Sequence, residues 1–431
     1  MALALVLIGV ILMFPKFKLM HSCFLLWMVF GLLFNAAALA EQGEHEHDLQ
    51  VSAQLSLHDL VEKTIARYPD STLLAAKQIE IDAKNKRANG VLPAAPAIGL
   101  LNRNDVITSN RGEREWEAEL ELPVWLPGQR AARVAIARDA ALGLVDAHAA
   151  LNLQVAGMVR DALWDIAMMT HQATLAKSRH QTSLALLNDV EKRVKAGDLP
   201  KTDIMLAQNE AYQAETFLLR AEAEVKHAQF RYILLTGLHS IPEAYSEQQV
   251  KTTLDDNHPA LRDASKKLLV ADDERNLVKV ERRENPTVSL NARSQRGPFD
   301  NQANETLGLK VRIPFDTETH SAPLLANAEM NYAKNQVEAQ HLRYALEAAF
   351  HEAEHNLEVT TAELAITTKQ HANAQESLRL AKKAFALGET DLVNLLRVQA
   401  SAYEAERAMT QRQIQLQWDT AHYNQAAGEM P

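Results

Sequence analysis

The chain has 431 residues, with 45 Lys and Arg against 55 Asp and Glu, a formal charge of −10, aromatic residues at 6%, 15 glycines and 14 prolines. The acidic balance excludes the basic footprint of a nucleic-acid-binding protein. The length suffices for two or three ordinary domains, and the scarcity of aromatics, glycine and proline favours extended helix over a compact aromatic core.

In chain order, 1–40 reads as a secretory signal peptide. Two apolar stretches are separated by Lys16 and Lys18, and Ala38-Leu39-Ala40 is an A-x-A cleavage signature followed by Glu41. Met13 or Met20 is the expected translation start, and a membrane anchor over 24–40 is the alternative. The only cysteine, Cys23, precedes the apolar core, so the expected mature chain has no thiol. The polar stretch 41–54 reads as a flexible, His- and Glu-rich N-terminus. His45 and His47, with carboxylates beside them, are weak metal-ligand candidates set against a simple solvated tail.

The remainder runs its course twice. The first repeat is expected over 55–240, a linker over 241–255, and the second repeat over 256–427. Tyr68-Pro69 opens a helical segment in the first half and His258-Pro259 opens one in the second. Strands are expected at about 94–104 and 115–123, then at about 287–294 and 305–314. Long helices are expected over 131–196 and 201–236, then over 323–386 and 391–424. Ala, Leu, Glu, Gln and Lys fill these arms, and at 1.5 Å per residue the first would reach about 100 Å. Such helices must bury a stripe against partner helices. Gly197 and Gly388 punctuate the two reversals, where a residue tolerant of positive φ is needed.

Within the strands, Trp116, Ala118, Leu120 and Leu122 alternate with Glu117, Glu119 and Glu121. Leu307, Leu309, Val311 and Ile313 likewise alternate with Gly308, Lys310 and Arg312. A period of two with one apolar and one charged face is a half-buried strand. Lipid outside and water inside produce it in a membrane β-barrel, and an ordinary sheet on a core produces it too. Four strands are too few to close a barrel, so the membrane version requires several chains to share one.

No nucleophile elbow, phosphate-cradling loop or zincin signature is present, and no catalytic residue or cofactor is expected. His351 and His355 stand one turn apart beside Glu352 and Glu354, half a metal site at most, and read as solvent-facing.

These features together resemble the TolC-like outer-membrane efflux family, and most closely its members serving cobalt-zinc-cadmium (heavy-metal) resistance-nodulation-division pumps. The motifs carrying the resemblance are the duplicated halves, Tyr68-Pro69, His258-Pro259, Leu92-Pro93, the stretch from Leu122-Pro123-Val124 through Trp125-Leu126-Pro127-Gly128-Gln129-Arg130, and the turns from Gly197 to Gln208 and from Gly388 to Gln399. The resemblance covers about Leu55 to Ala427. It implies a mainly α fold with a small β part and duplicated halves. It further implies a homotrimer with a periplasmic α-helical barrel and a shared 12-stranded transmembrane β-barrel in outer-membrane lipid, four strands per protomer. The implied function is a passive, non-enzymatic conduit for metal cations, gated at its periplasmic tip. The implied partners are a periplasmic adaptor protein and an inner-membrane pump.

By the same resemblance Gly197, Asp203, Gly388, Asp391, Asn394 and Arg397 belong to the tip turns and gate. Arg397 is a candidate latch to Asp203 or Glu210. The family's acidic ring positions are here Asn394 and Arg397, a departure from its pattern. Glu117, Glu119, Glu121, Lys310 and Arg312 would face the lumen. The competing readings are a channel of this fold for drugs, other small molecules or type I protein secretion, a periplasmic adaptor with its single helical hairpin, and a cytoplasmic coiled-coil scaffold.

Overall fold

The computed structural model describes residues 49–250 and 253–431. The signal segment, His45 and His47 lie outside the described residues. From Gln50 to Pro431 the chain forms one unit.

Two long helices dominate it: α3 over Gln129–Ala196 (68 residues) and α6 over Glu318–Ala386 (69 residues). Each returns through a shorter helix, α4 over Lys201–Thr236 and α7 over Leu392–Ala426. Two shorter helices precede the strand pairs, α2 over Pro69–Asn89 and α5 over Pro259–Val280. Both open on proline, which suits a first-turn position where the amide would be unpaired. In the second of these, the His258 ring accepts the Ala260 amide at 3.2 Å as a cap.

Helices pack in the order α2–α3–α5–α6 beside the sheet and α4–α3–α7–α6 at the far end. Each long helix is thus flanked along its length by shorter helices arranged end to end. Small residues allow the close approach: Ala207, Ala211 and Ala214 bury one stripe of α4.

The sheet comprises β2 (Ala97–Asn104), β3 (Arg114–Pro123), β5 (Thr287–Arg296) and β6 (Asn304–Arg312). Its order is β2-β3-β5-β6, antiparallel throughout. This is the same order as the helices to which the strands connect. Both halves therefore present helix, hairpin, long helix, turn, helix.

Three features depart from the sequence reading. First, Gln50–Ser52, within the stretch expected to be flexible, forms β1 and pairs in parallel with β4, Ser240–Pro242. A capping box between Ser56 and Asp59 then starts α1, Leu57–Arg67, a helix the apolar pattern had not separated from its surroundings. Second, 243–250 is not a free connection. The Asn424 side chain accepts the Val250 amide at 3.1 Å and donates to the Gln248 carbonyl at 3.0 Å, and Glu247 is held by Arg160, as described below. Third, α6 begins at Glu318, so Pro323 lies inside the helix instead of opening it. Bonds from the His320 and Ser321 amides to the Thr317 carbonyl start the turn ahead of the proline. Pro323 then lacks an N–H only one turn further on, close to the end where helices tolerate the loss best.

Candidate functional site

The sheet carries the first group of candidate residues. Strand register sets Glu117, Glu119 and Glu121 on one face of β3, in line with Arg293, Asn291 and Ser289 of β5. Lys310 and Arg312 of β6 pair with Ser289 and Thr287 and so share that face. The carboxylate of Glu119 lies 3.2 Å from Lys310 Nζ, and Asn291 donates to Glu117 at 2.8 Å. Arg312 pairs at 3.3 Å with Glu284, both well exposed. Glu115 extends the same acidic series and had been overlooked. It is buried between Arg103 and Arg293, at 3.2 and 2.6 Å. The alternation of acids already runs from Glu113 through Glu115 in the sequence and would have revealed it.

The opposite face is apolar and uncovered. Leu100 is 79% exposed, Trp116 61%, Leu307 89% and Leu309 68%. Both edge strands, β2 and β6, are exposed along their whole length. A soluble protein does not present an apolar sheet face together with two open edges, because both would associate.

The junction of sheet and helices is built from Trp125-Leu126-Pro127-Gly128-Gln129-Arg130. Gly128 takes φ 80° to turn the chain into α3. The Gln129 side chain is buried. It accepts the Leu126 amide at 3.0 Å and donates to Glu281, the residue that caps α5, at 2.7 Å, while Asn285 donates to it at 2.7 Å. Arg130 reaches back to the Ala88 carbonyl at 3.2 Å, and Trp125 donates to Val91 O at 3.0 Å. The motif locks the exits of both halves together. Neighbouring helices α3 and α5 carry a carboxyl pair. Asp273 is pushed up to about 6 by burial and by the adjacent Asp139, whose own carboxyl Arg138 holds low.

The far end contains the second group. Gly197 (φ 87°) and Gly388 (φ 76°) close α3 and α6 in the same way. The Gly197 amide bonds Val194 O and the Asp198 amide bonds Arg193 O. The Gly388 amide bonds Phe385 O and the Glu389 amide bonds Ala384 O. This is the Schellman pattern of a left-handed residue after the cap. Asp391 caps α7 by accepting the Asn394 amide at 2.8 Å, and Asp203 sits in the first turn of α4, where a negative charge suits the helix dipole. Val190, Ala207, Phe385, Leu392 and Leu395 form one buried cluster uniting both reversals.

The proposed latch is not formed within the chain. Arg397 donates to Asn394 on its own helix at 2.9 Å, and Glu210 belongs to Arg179 at 2.8 Å. Asp203 makes no ion pair among the described residues. An arginine one turn from an amide on its own helix finds a closer partner than one across the tip. Two other arginines join the hairpins instead. Arg193 donates to Phe385 O at 3.0 Å with its guanidinium 4.6 Å from that ring, and Arg179 lies 4.8 Å from the ring of Tyr403. Neither was legible, because an arginine on a charged helix reads as solvated.

Midway along α3, the large Arg160 side chain is fully buried. It holds Glu247 through two bonds of 2.7 and 2.6 Å, Gln425 at 2.6 Å and the Glu429 carbonyl at 3.1 Å. Gln425 also donates to Leu153 O at 2.8 Å, packed against Gly157 so closely that an added Cβ would lie 2.9 Å from it. His351 and His355 are exposed on α6. Among the described residues no three His, Cys, Asp or Glu come together as a metal site.

Mainly helical, with a small sheet and duplicated halves, the chain has the fold of TolC-like channel proteins. Solved structures with this fold include the outer membrane protein VceC of Vibrio cholerae, 15% identical with a TM-score of 0.72, covering 86% of this chain and 96% of that one. CusC, whose structures concern transmembrane channel formation, is 13% identical at TM-score 0.72 over 90% of this chain and 95% of its own. The open-state outer membrane channel MtrE of Neisseria gonorrhoeae is 17% identical at TM-score 0.67, over 89% and 91%. No family sequence model and no curated protein sequence matches the chain.

Proposed function

We propose that this chain is the outer-membrane channel component of a tripartite efflux system, a passive conduit closed by three copies and opened at the helical tip. One observation carries the reading: a four-stranded sheet bare on its apolar face and open at both edges, standing on helices about 100 Å long. In lipid every backbone group must find a partner, so the edges must close on one another. Because the strand number is even, β2 and β6 run in opposite directions, and identical copies can continue the antiparallel order indefinitely. Three copies give twelve strands, with apolar residues toward lipid and the Glu117, Glu119, Glu121, Lys310 and Arg312 face toward a water-filled lumen. Charges of both signs on that face suit a wide duct of weak selectivity.

The long helices would cross the periplasm and place Gly197, Asp203, Gly388, Asp391, Asn394 and Arg397 where an adaptor and an inner-membrane pump engage. The inner-membrane pump supplies the energy in this reading, and this chain serves as the conduit. Heavy-metal cations are the proposed cargo. This rests on the likeness of Trp125 through Arg130 to metal-efflux members and on His45 and His47 near the start.

In detergent the mature protein is expected to be a trimer that conducts ions across a planar bilayer, and a soluble monomer would refute the channel. Loss of the gene is expected to lower tolerance to one divalent metal and leave tolerance to hydrophobic drugs unchanged. A drug-only phenotype would keep the channel and overturn the cargo.

A further inference from the structure

The two strand hairpins can be matched residue for residue. Ile98, Leu100 and Arg103 of β2 correspond to Val288, Leu290 and Arg293 of β5, while Leu120, Leu122 and Pro123 of β3 correspond to Val311, Ile313 and Pro314 after them in the second half. The hairpins obey this match in space: Ala97 faces Glu121 just as its counterpart Thr287 faces Arg312. One junction between halves is visible within the chain, where β3 meets β5 with Leu120 opposite Leu290 and Glu121 opposite Ser289. The other junction, from β6 to the β2 of a neighbouring copy, lies between chains.

We propose that this second junction repeats the register of the first, so that Val311 of one copy stands opposite Leu100 of the next and Arg312 stands opposite Gly99. The inference rests on the trimeric channel reading and adds the register and the charge pairing that seal it. Charge and space agree with it. Gly99 presents no side chain, and the Glu119 side chain leans over it, Cβ and Oε2 lying 3.6 and 3.9 Å from where a Cβ on Gly99 would be. Within the chain the carboxylate is met by the Ser289 hydroxyl and, at Oε1, by Lys310 at 3.2 Å, and its two oxygens have room to accept a further donor. Arg312, arriving on the open flank of Gly99, finds Oε2 of Glu119. Among the described residues of its own chain, its ion pair is the exposed contact to Glu284. Small residues separate acid from base at both junctions: Ser289 inside each chain and Gly99 between chains. The result is a closed circuit around the lumen, from Glu119 to Lys310 within a chain and from Arg312 to Glu119 across the seam. On the outer face the same register places Ile313 beside Ile98 and Val311 beside Leu100, apolar against apolar.

Cysteine pairs test the register in a Cys23→Ser background, in the full chain inserted in its membrane and mildly oxidised. Residues directly opposite across antiparallel strands lie about 4.5–5.5 Å apart at Cα, whereas positions displaced by two lie too far for a disulfide. Val311→Cys with Leu100→Cys is expected to give covalent dimers and trimers on denaturing gels. Val311→Cys with Ile98→Cys, or with Asn102→Cys, is expected to remain monomeric on the same gels. Crosslinking by a displaced pair in place of Leu100 would overturn the register while leaving the trimer standing. Failure of all three pairs in a protein that elutes as a trimer would also overturn it, whereas failure together with a monomeric elution would refute the channel reading itself.

Discussion

Replacing Arg160 with methionine tests whether the middle of the long helix is held by charge or by packing. The guanidinium is 1% exposed and Glu247 12%, and they are joined by two bonds under 2.8 Å. Removing the arginine leaves the Glu247 carboxylate in a buried site without its cation, met by the Asn424 amide at 3.2 Å, and withdraws a donor from the Gln425 carbonyl and the Glu429 backbone oxygen. Breaking one side of a buried pair costs about 3–5 kcal/mol, whereas replacing both partners by apolar groups is often close to neutral. At about 1.4 kcal/mol per tenfold change, the single variant raises local opening of 243–250 by roughly a hundredfold to a few thousandfold. Opening of that segment is read by native-state hydrogen exchange and by limited proteolysis, which report the open population when reclosing is fast. The double variant Arg160→Met/Glu247→Met is expected to recover most of the lost protection. If the single variant protects 243–250 as well as the parent does, or if the double variant opens as much as the single, the charge argument is refuted.

Gly197→Ala and Gly388→Ala are each expected to destabilise the tip by about 1–2 kcal/mol, because both glycines hold a left-handed backbone. No atom lies within 4 Å of an added Cβ at either site, so no steric cost adds to the strain, and a loss well beyond that range in chemical unfolding would show that the turn does more than reverse the chain. Asp273→Asn is expected to flatten the pH dependence of stability. The folded carboxyl titrates at about 6, above its ordinary value, so the folded state binds the proton more tightly than the unfolded one. That contribution is fully present below about pH 4 and is lost as pH rises through about 6. The variant should therefore be more stable than the parent at pH 7.5 in thermal melts, and equal stability there would contradict the assignment.

Much of this fold was legible because its periods are local. Alternation of Trp116, Ala118, Leu120 and Leu122 with acids sets a strand with two unlike faces, and the observed register keeps those faces apart across all four strands. The glycines at 197 and 388, and the prolines at 69 and 259, mark ends through constraints that belong to single residues. What failed to show was contact between residues distant in the chain. Gln129 was visible in a motif, yet its bonds to Glu281 and Asn285 join the two halves and depend on how α3 lies against α5. The tip pairs resisted for the same reason: Arg397 and Glu210 looked like partners, but the rotation of each helix about its axis turned them to Asn394 and Arg179.

The amino-acid order alone therefore determined the four long helical arms, the four strands of the larger sheet with their apolar face, and that the plan occurs twice. These follow from a spacing of 2 or 3.6 residues and from the backbone limits of glycine and proline. Only the tertiary structure decided that Arg160 is buried, that β1 closes on β4, and that the sheet is left open at β2 and β6. Burial and pairing depend on which surfaces meet, and a helix repeats its pattern too evenly along its length to specify its neighbour by pattern alone.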